Sequence, residues 1–260
     1  MRKLRVAAVQ LRSGIEPAAN RAHALPFLRE AAMAGARFIA TPENSLRLDR
    51  DRQRMLAAVG PEAGDSELKA WGRIAQELGV WLLMGSGAIA NGEGKVFNRS
   101  FFFNPDGKIV ARYDKINLFD VTLGGSETYR ESETVEGGAN AVLVEGPQNA
   151  KIGLTICYDV RFAPLYAGLA RAGAEIITVP AAFTVPTGQA HWEILLRARA
   201  IETGAFVIAP AQGGKHEDGR STWGHSMIID PWGKVLASLD HDEPGLIVAD
   251  LDLDQVAAAR

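Results

Sequence analysis

Cysteine is nearly missing from this 260-residue chain, which has one, Cys157. A single thiol excludes an intramolecular disulfide, so the core must hold the fold. A basic excess is missing as well: 28 Lys and Arg stand against 31 Asp and Glu. No basic run is interleaved with aromatics, which argues against a nucleic-acid footprint. No uncharged apolar stretch reaches the roughly 20 residues of a membrane-spanning helix, so no membrane partner is expected. The apolar run within the first ten residues is too short for a signal peptide and reads as a first strand. His-Glu-x-x-His is absent, and no Cys or His pair sits at ligand spacing, so no metal is expected. Gly85-Ser86-Gly87 lacks the third glycine of a dinucleotide loop, with Ala90 in that place. The setting these absences describe is cytoplasmic and reducing, where a free thiol survives.

What is present is an ordinary globular composition, 47% hydrophobic and 23% charged, read as one domain over residues 1–260. Strand-like runs at Leu4–Gln10, Phe38–Thr41 and Val80–Ala90 alternate with helical patterns at Pro17–Gly35 and Ser66–Leu78, which is α/β patterning. Segments then recur. Ala34-Gly35-Ala36-Arg37-Phe38-Ile39-Ala40-Thr41-Pro42 is echoed by Ala172-Gly173-Ala174-Glu175-Ile176-Ile177-Thr178-Val179-Pro180. The Pro-x-Gly turn of Phe103–Ala111 is echoed by that of Ile229–Ala237, and a helix-Gly-strand unit lies between the members of each pair, at Leu68–Ser86 and Leu195–Ala211. Echoes in the same order predict two similar halves packed face to face, helices outside and sheets inside: a four-layer αββα sandwich with pseudo-twofold duplication.

The chemistry is expected around Lys151–Phe162. An apolar run, Ile152–Ile156, stops at Cys157 and gives way to a helical pattern from Pro164. Backbone N–H groups and the helix dipole at that turn predict a thiolate, the nucleophilic form, although a free cysteine is ordinarily a small core residue. Glu43 follows Pro42 at the end of another strand, where burial would raise a carboxylate and suit it to general-base work; its counterpart in the second half is Ala181. Lys115, at the end of a strand-like run, is either a surface lysine or a fixed cation for a developing oxyanion. Glu131 lies further along, among charged neighbours that suggest solvation.

Taken together, Pro42-Glu43, Lys115 with Leu118-Phe119-Asp120, Glu131-Ser132 and Gly153-Leu154-Thr155-Ile156-Cys157-Tyr158-Asp159-Val160-Arg161-Phe162 resemble the nitrilase, or carbon-nitrogen hydrolase, superfamily. His191–Glu202 and Gly224–Gly233 extend the resemblance over nearly the whole chain, and these stretches are most similar to the branch of deaminated glutathione amidases and omega-amidases. The resemblance implies Cys157 as nucleophile, Glu43 as general acid and base, Lys115 as oxyanion stabiliser and Glu131 as a second carboxylate. It also implies the αββα fold, a homodimer or larger homo-oligomer, no cofactor, and a small carboxylate-bearing amide as substrate, cleaved through a thioester to a carboxylic acid and ammonia.

Around that set, Tyr158 is a candidate through its backbone N–H, and Phe183 and Thr187 as pocket-lining residues of an Ala181–His191 loop. Arg161 either pairs a substrate carboxylate or is salt-bridged within the fold. Lys215, His216 and Arg220 read as a solvated turn that could reach an acidic substrate. Alternatives are an N-carbamoyl amino acid amidohydrolase, a nitrilase, and an inactive binding or scaffold relative. A Cys–His hydrolase would have to use His191 or His225, both of which read better as structural residues.

Overall fold

The computed structural model describes residues 2–123 and 127–260; Gly124 and Gly125, in the loop expected beyond Lys115, lie outside them. The first half runs β1 (Lys3–Gln10), α1 (Pro17–Met33), β2 (Phe38–Ala40), α2 (Arg52–Ala58), α3 (Ser66–Leu78), β3 (Trp81–Ala90), β4 (Val96–Phe103) and β5 (Ile109–Asp114). A hairpin of β6 (Asp120–Leu123) and β7 (Glu127–Arg130) follows. The second half runs β8 (Val142–Glu145), β9 (Lys151–Leu154), α4 (Ala163–Arg171), β10 (Ile176–Thr178), α5 (Val185–Thr203) and β11 (Phe206–Ala209). It continues with the hairpin β12 (Gly213–Lys215) and β13 (Ser221–Trp223), then β14 (Met227–Ile229), β15 (Val235–Ser238), β16 (Gly245–Asp252) and α6 (Asp254–Ala259).

The duplication is plain in the sheets. One is ordered β16-β1-β2-β3-β4-β5 and the other β8-β9-β10-β11-β14-β15. In each, three parallel strands form the centre, and antiparallel partners flank them on both sides. The echo at residues 34–42 and 172–180 is a repeated helix stop: Gly35 has φ 86° and Gly173 φ 99°. Ala36 N–H bonds Ala31 O, and Ala174 N–H bonds Leu169 O. The left-handed residue favours glycine, and in both places it ends the helix ahead of the strand, β2 or β10.

Strand period 2 sorts the core into layers. Val6 and Ala8 of β1 and Phe102 of β4 share a cluster with Ile152, Leu154 and Ile176 of the other sheet. Their neighbours Ala7, Val9, Phe101 and Phe103 share a second cluster with Leu28 of α1 and Trp71 of α3. Both faces of the sheet are therefore covered, one by the other sheet and one by helices, as an αββα sandwich requires. Phe102 is fully buried, and truncating such a residue to Ala typically costs about 3–5 kcal/mol.

Two local differences from the sequence reading have simple causes. Helix α2 was not expected; none of its residues is buried, so it has no apolar stripe to reveal it, and its start is fixed by Asp51 accepting from the Arg54 N–H. The stretch expected as a loop to His191 becomes helical at Val185, because Pro186 in the first turn is pre-set for a helix and needs no N–H partner there. No helix among the described residues is long and apolar enough to cross a membrane.

Candidate active site

Glu43 is held by the turn that ends β2. Ser45 Oγ donates to Pro42 O at 2.6 Å, and Asn44 N–H donates to Ser86 Oγ at 2.9 Å. Gly85 permits this docking, since a Cβ there would stand 2.0 Å from Thr41 O and 2.3 Å from Pro42 O. The Gly85-Ser86-Gly87 run thus serves close backbone approach rather than phosphate binding.

Cys157 opens a 3₁₀ turn, Cys157–Arg161, between β9 and α4. Its φ of 50° puts a non-glycine residue in the left-handed region, a strain that costs of order 1 kcal/mol and must be enforced by neighbours. Asp159 enforces it. Fully buried, it accepts from Ile156 N–H at 2.9 Å and Tyr113 Oη at 2.7 Å through Oδ2, and from Asn117 N–H at 2.9 Å and Nδ2 at 2.8 Å through Oδ1. Tyr113 and Asn117 flank Lys115 two residues on either side. One carboxylate therefore ties the cysteine turn to the strand end that carries the lysine.

Lys115 is 2% exposed and lies between two carboxylates. Its Nζ donates to Glu43 Oε1 at 2.9 Å and to Glu131 Oε1 and Oε2 at 3.1 and 2.9 Å. Glu131, which looks solvated in the sequence, is drawn in by this cation and by the Phe119 N–H, which donates to Oε2 at 2.6 Å. Glu43 also accepts from Asn98 Nδ2 on Oε1 and from the Ala182 N–H on Oε2, each at 2.9 Å, and from the Cys157 thiol. Sequence reasoning missed Asn98, which bridges Glu43 and, at 3.3 Å, Glu131. In the sequence it is one of three consecutive polar residues, Asn98-Arg99-Ser100, inside β4, and nothing there sets it apart. Its buried Oδ1 has no partner among the described residues.

The electrostatics reverse two expectations. Burial would push the Glu43 carboxyl up, but Lys115 and the hydrogen bonds to Cys157 and Asn98 outweigh it and hold the group below the usual carboxylate range. Burial, reinforced by the adjacent Glu43 charge, pushes the Cys157 thiol well up, so it is a thiol at neutral pH and not the thiolate expected at a helix start. Burial opposes the Lys115 charge, but Glu131 and Glu43 more than compensate and raise it well above the ordinary lysine value. The resting arrangement is a neutral thiol beside an ionised carboxylate that can accept its proton.

These residues form the floor of a cavity of about 680 Å³ lined also by Tyr158, Arg161, Phe183 and Thr187. The Arg161 guanidinium carbon stands 5.7 Å from the Tyr158 ring centre and 5.8 Å from that of Phe183. Its Nη2 bonds His191 Nδ1 at 3.1 Å, and no carboxylate pairs with it among the described residues. The salt bridge within the fold, one of its two expected roles, is thus not seen. Phe183 packs on Trp192, and Thr187 Oγ1 bonds Thr184 Oγ1 at 2.8 Å. His225 stacks on Trp223 at 3.9 Å, so the group that hydrogen-bonds the thiol is Glu43 rather than either histidine. In the polar insert, Lys215 is exposed, Arg220 lines the cavity, and His216 is 3% exposed, with Nδ1 bonded to Ser13 O and Nε2 to Thr222 Oγ1.

A carbon-nitrogen hydrolase family model matches residues 5–260. The deaminated glutathione amidase of Synechocystis sp. is 39% identical over 263 residues, covering 100% of this chain and 96% of that protein. The crystal structure of the C. elegans NitFhit protein superposes with a TM-score of 0.91 at 32% identity, over 98% of this chain and 62% of that one. A mutant of the amidase from Nesterenkonia sp. AN1, with acrylamide added to its active-site cysteine, superposes with a TM-score of 0.81 at 25% identity, over 98% of this chain and 95% of that one.

Proposed function

The chain belongs to the carbon-nitrogen hydrolase family and is an amidase acting on carbon-nitrogen bonds; from that premise we propose that it cleaves a small carboxylate-bearing amide through a Cys157 thioester. The substrate type is that of deaminated glutathione or an alpha-keto acid omega-amide. The observation that carries this reading is Lys115 held between Glu43 and Glu131 beside the Cys157 thiol.

In the proposed sequence, Glu43 takes the thiol proton as Sγ attacks the amide carbonyl. The new oxyanion is stabilised by the Lys115 charge and the Tyr158 N–H, which lies in the first turn of a helical segment where N–H groups lack intrahelical acceptors. Glu43 returns the proton to the leaving nitrogen, then activates the water that hydrolyses the thioester. Glu131 shares the Lys115 ammonium and fixes its position. An unsubstituted amide releases ammonia, and a peptide-like amide such as deaminated glutathione releases an amine. No step calls for a cofactor or a metal. Arg161, steadied by Tyr158, Phe183 and His191, is assigned the substrate carboxylate nearest the scissile bond, with Phe183 and Thr187 shaping the wall.

Both halves contribute to the site, in keeping with a single domain over residues 1–260, and the free thiol suits a cytoplasmic setting. A homodimer is proposed through the outer face of α5, where Ile194 and Ile201, 70% and 57% exposed, lie one heptad apart near Trp232, 73% exposed. Ile194→Asp with Ile201→Asp should then sediment as a monomer.

The test of function is acid and amine release from deaminated glutathione, 2-oxoglutaramate, simple amides, carbamoyl amino acids and nitriles, with Cys157→Ala alongside. Turnover of one of the first two, lost in Cys157→Ala, supports the reading. Turnover that survives that substitution, or confined to nitriles or carbamoyl compounds, rejects it.

A further inference from the structure

The cavity above Cys157 carries more positive charge than the chemistry at its floor uses. Its carboxylates already have cationic partners. Glu43 and Glu131 share Lys115, and the fully buried Asp49 carboxylate takes Nε and Nη2 of Arg54, each at 2.7 Å. Arg47, Arg50 and Arg161 also line the cavity, and none has a carboxylate within ion-pair distance among the described residues. Arg47 and Arg161 are half-buried and Arg50 is exposed; a partly buried guanidinium without a counter-charge is costly, and its planar fork fits a carboxylate in two-point contact.

Arg47 is placed by its neighbours. Leu46 and Leu48 are 5% and 0% exposed and sit in the core, whereas Arg47 between them is half-buried and lines the cavity. The segment is fixed by Asn20 Nδ2 donating to Leu46 O and Leu48 N–H donating to Gly14 O, both at 2.9 Å. Arg50 lies against Gly219, its Nη2 3.5 Å from where a Cβ would stand, so this segment meets the β12–β13 hairpin. Arg161 belongs to another wall, with Tyr158 and Phe183. Arg47 lies four positions after Glu43, so their Cα atoms are at most about 14 Å apart, and an extended tripeptide spans about 10 Å.

We propose that Arg47 and Arg50 form a distal carboxylate subsite, so that the preferred substrate is a tripeptide-sized dianion. One carboxylate, at the end of the acyl part, is taken by Arg161. The other, at the far end of the leaving group, is bound by Arg47 and Arg50. The proposal rests on the amidase reading of the cavity floor, and deaminated glutathione has this two-ended form through its terminal glycine.

Equilibrium binding to Cys157→Ala protein separates the subsite from the chemistry. Deaminated glutathione is compared with its C-terminal glycinamide, which removes the distal charge and little else. The capped ligand should bind about ten- to a hundredfold more weakly, having lost charge-assisted hydrogen bonds. Adding Arg47→Gln and Arg50→Gln should weaken the uncapped ligand by a similar factor and erase the difference between the two. If the double substitution impairs folding, Arg50→Gln alone, at an exposed position, should narrow the difference. Equal affinity of both ligands for the parent protein, a difference that survives the arginine substitutions, or no binding of either ligand overturns the proposal. Turnover with Cys157 intact is read in parallel: no hydrolysis with charge discrimination preserved removes the amidase reading and leaves the subsite, and hydrolysis without discrimination does the reverse.

Discussion

Glu43 and Ala182 are joined across the duplication: the Ala182 N–H donates to Glu43 Oε2 at 2.9 Å. Glu43 follows Pro42 after β2, and Ala182 lies one residue beyond Ala181, which holds the equivalent place after β10. The first half offers a carboxylate and the second offers a peptide N–H to hold it. The two equivalent turns thus play different parts in one site.

Replacing Glu43 by Gln keeps the size of the side chain and removes its charge. Burial and the Glu43 charge both hold the thiol protonated, so the substitution removes one of two opposing factors and moves the Cys157 titration to lower pH. With Glu43 as the proposed proton acceptor, turnover should nevertheless fall by about 10³. Thiolate absorbance against pH, measured beside steady-state rates, checks both. A titration unmoved or shifted to higher pH would contradict the assigned contact.

Asp159 accepts four hydrogen bonds and has no ion pair among the described residues. Asp159→Asn sets an NH₂ against donors and should cost about 3 kcal/mol or more, whereas Tyr113→Phe removes one bond to a charged group and should cost about 1.5–3 kcal/mol. Urea unfolding of the two variants gives the order. If Tyr113→Phe were the more damaging, the clamp on the cysteine turn would be misassigned.

Asn98→Asp would place a third carboxylate against Glu43 and Glu131 with Lys115 as the one cation among them. Added negative charge raises the carboxyl values, so the acid limb of kcat/KM should move to higher pH. Asn98→Ser, which adds no charge, should leave the limb in place while lowering the rate. Identical limbs in the two variants would make Asn98 a packing residue only.

The backbone was legible in the sequence where local signals are strong. Asp65 caps α3 by accepting from Glu67 and Leu68 N–H groups, and the helix spans Ser66–Leu78 as its pattern predicts. The Pro-x-Gly turns at Pro105 and Pro231 are hairpins, between β4 and β5 and between β14 and β15. What could not be read is what depends on distance. Glu131 among charged neighbours looks solvated until Lys115 is placed against it, and Asn98 is silent until β4 is registered beside β5. The ionisation states are hidden in the sequence for the same reason. A helix start favours a thiolate locally, but the dominant effects on Cys157 are burial and a carboxylate 114 positions earlier in the chain.

Lys115→Met should reverse the sign of the site's contribution to pH-dependent stability. In the wild type the folded-state value of Glu43 is depressed, so its stabilisation is present above the unfolded value of about 4.3 and is lost as pH falls through the folded one. Without the cation, burial acts on Glu43 unopposed by its main counter-charge, and Glu131 adds like-charge repulsion, so the folded-state value rises above the unfolded one. The variant then carries unpaired buried charge at neutral pH, a penalty of about 3–5 kcal/mol. Acidification protonates Glu43 and relieves part of it. Urea midpoints at pH 7.5 and 5.5 should therefore rise on acidification in Lys115→Met relative to the wild type, and the rise should vanish when Glu43→Gln is added. A variant that tracks the wild type between the two pH values would mean that Glu43 is not held ionised by Lys115.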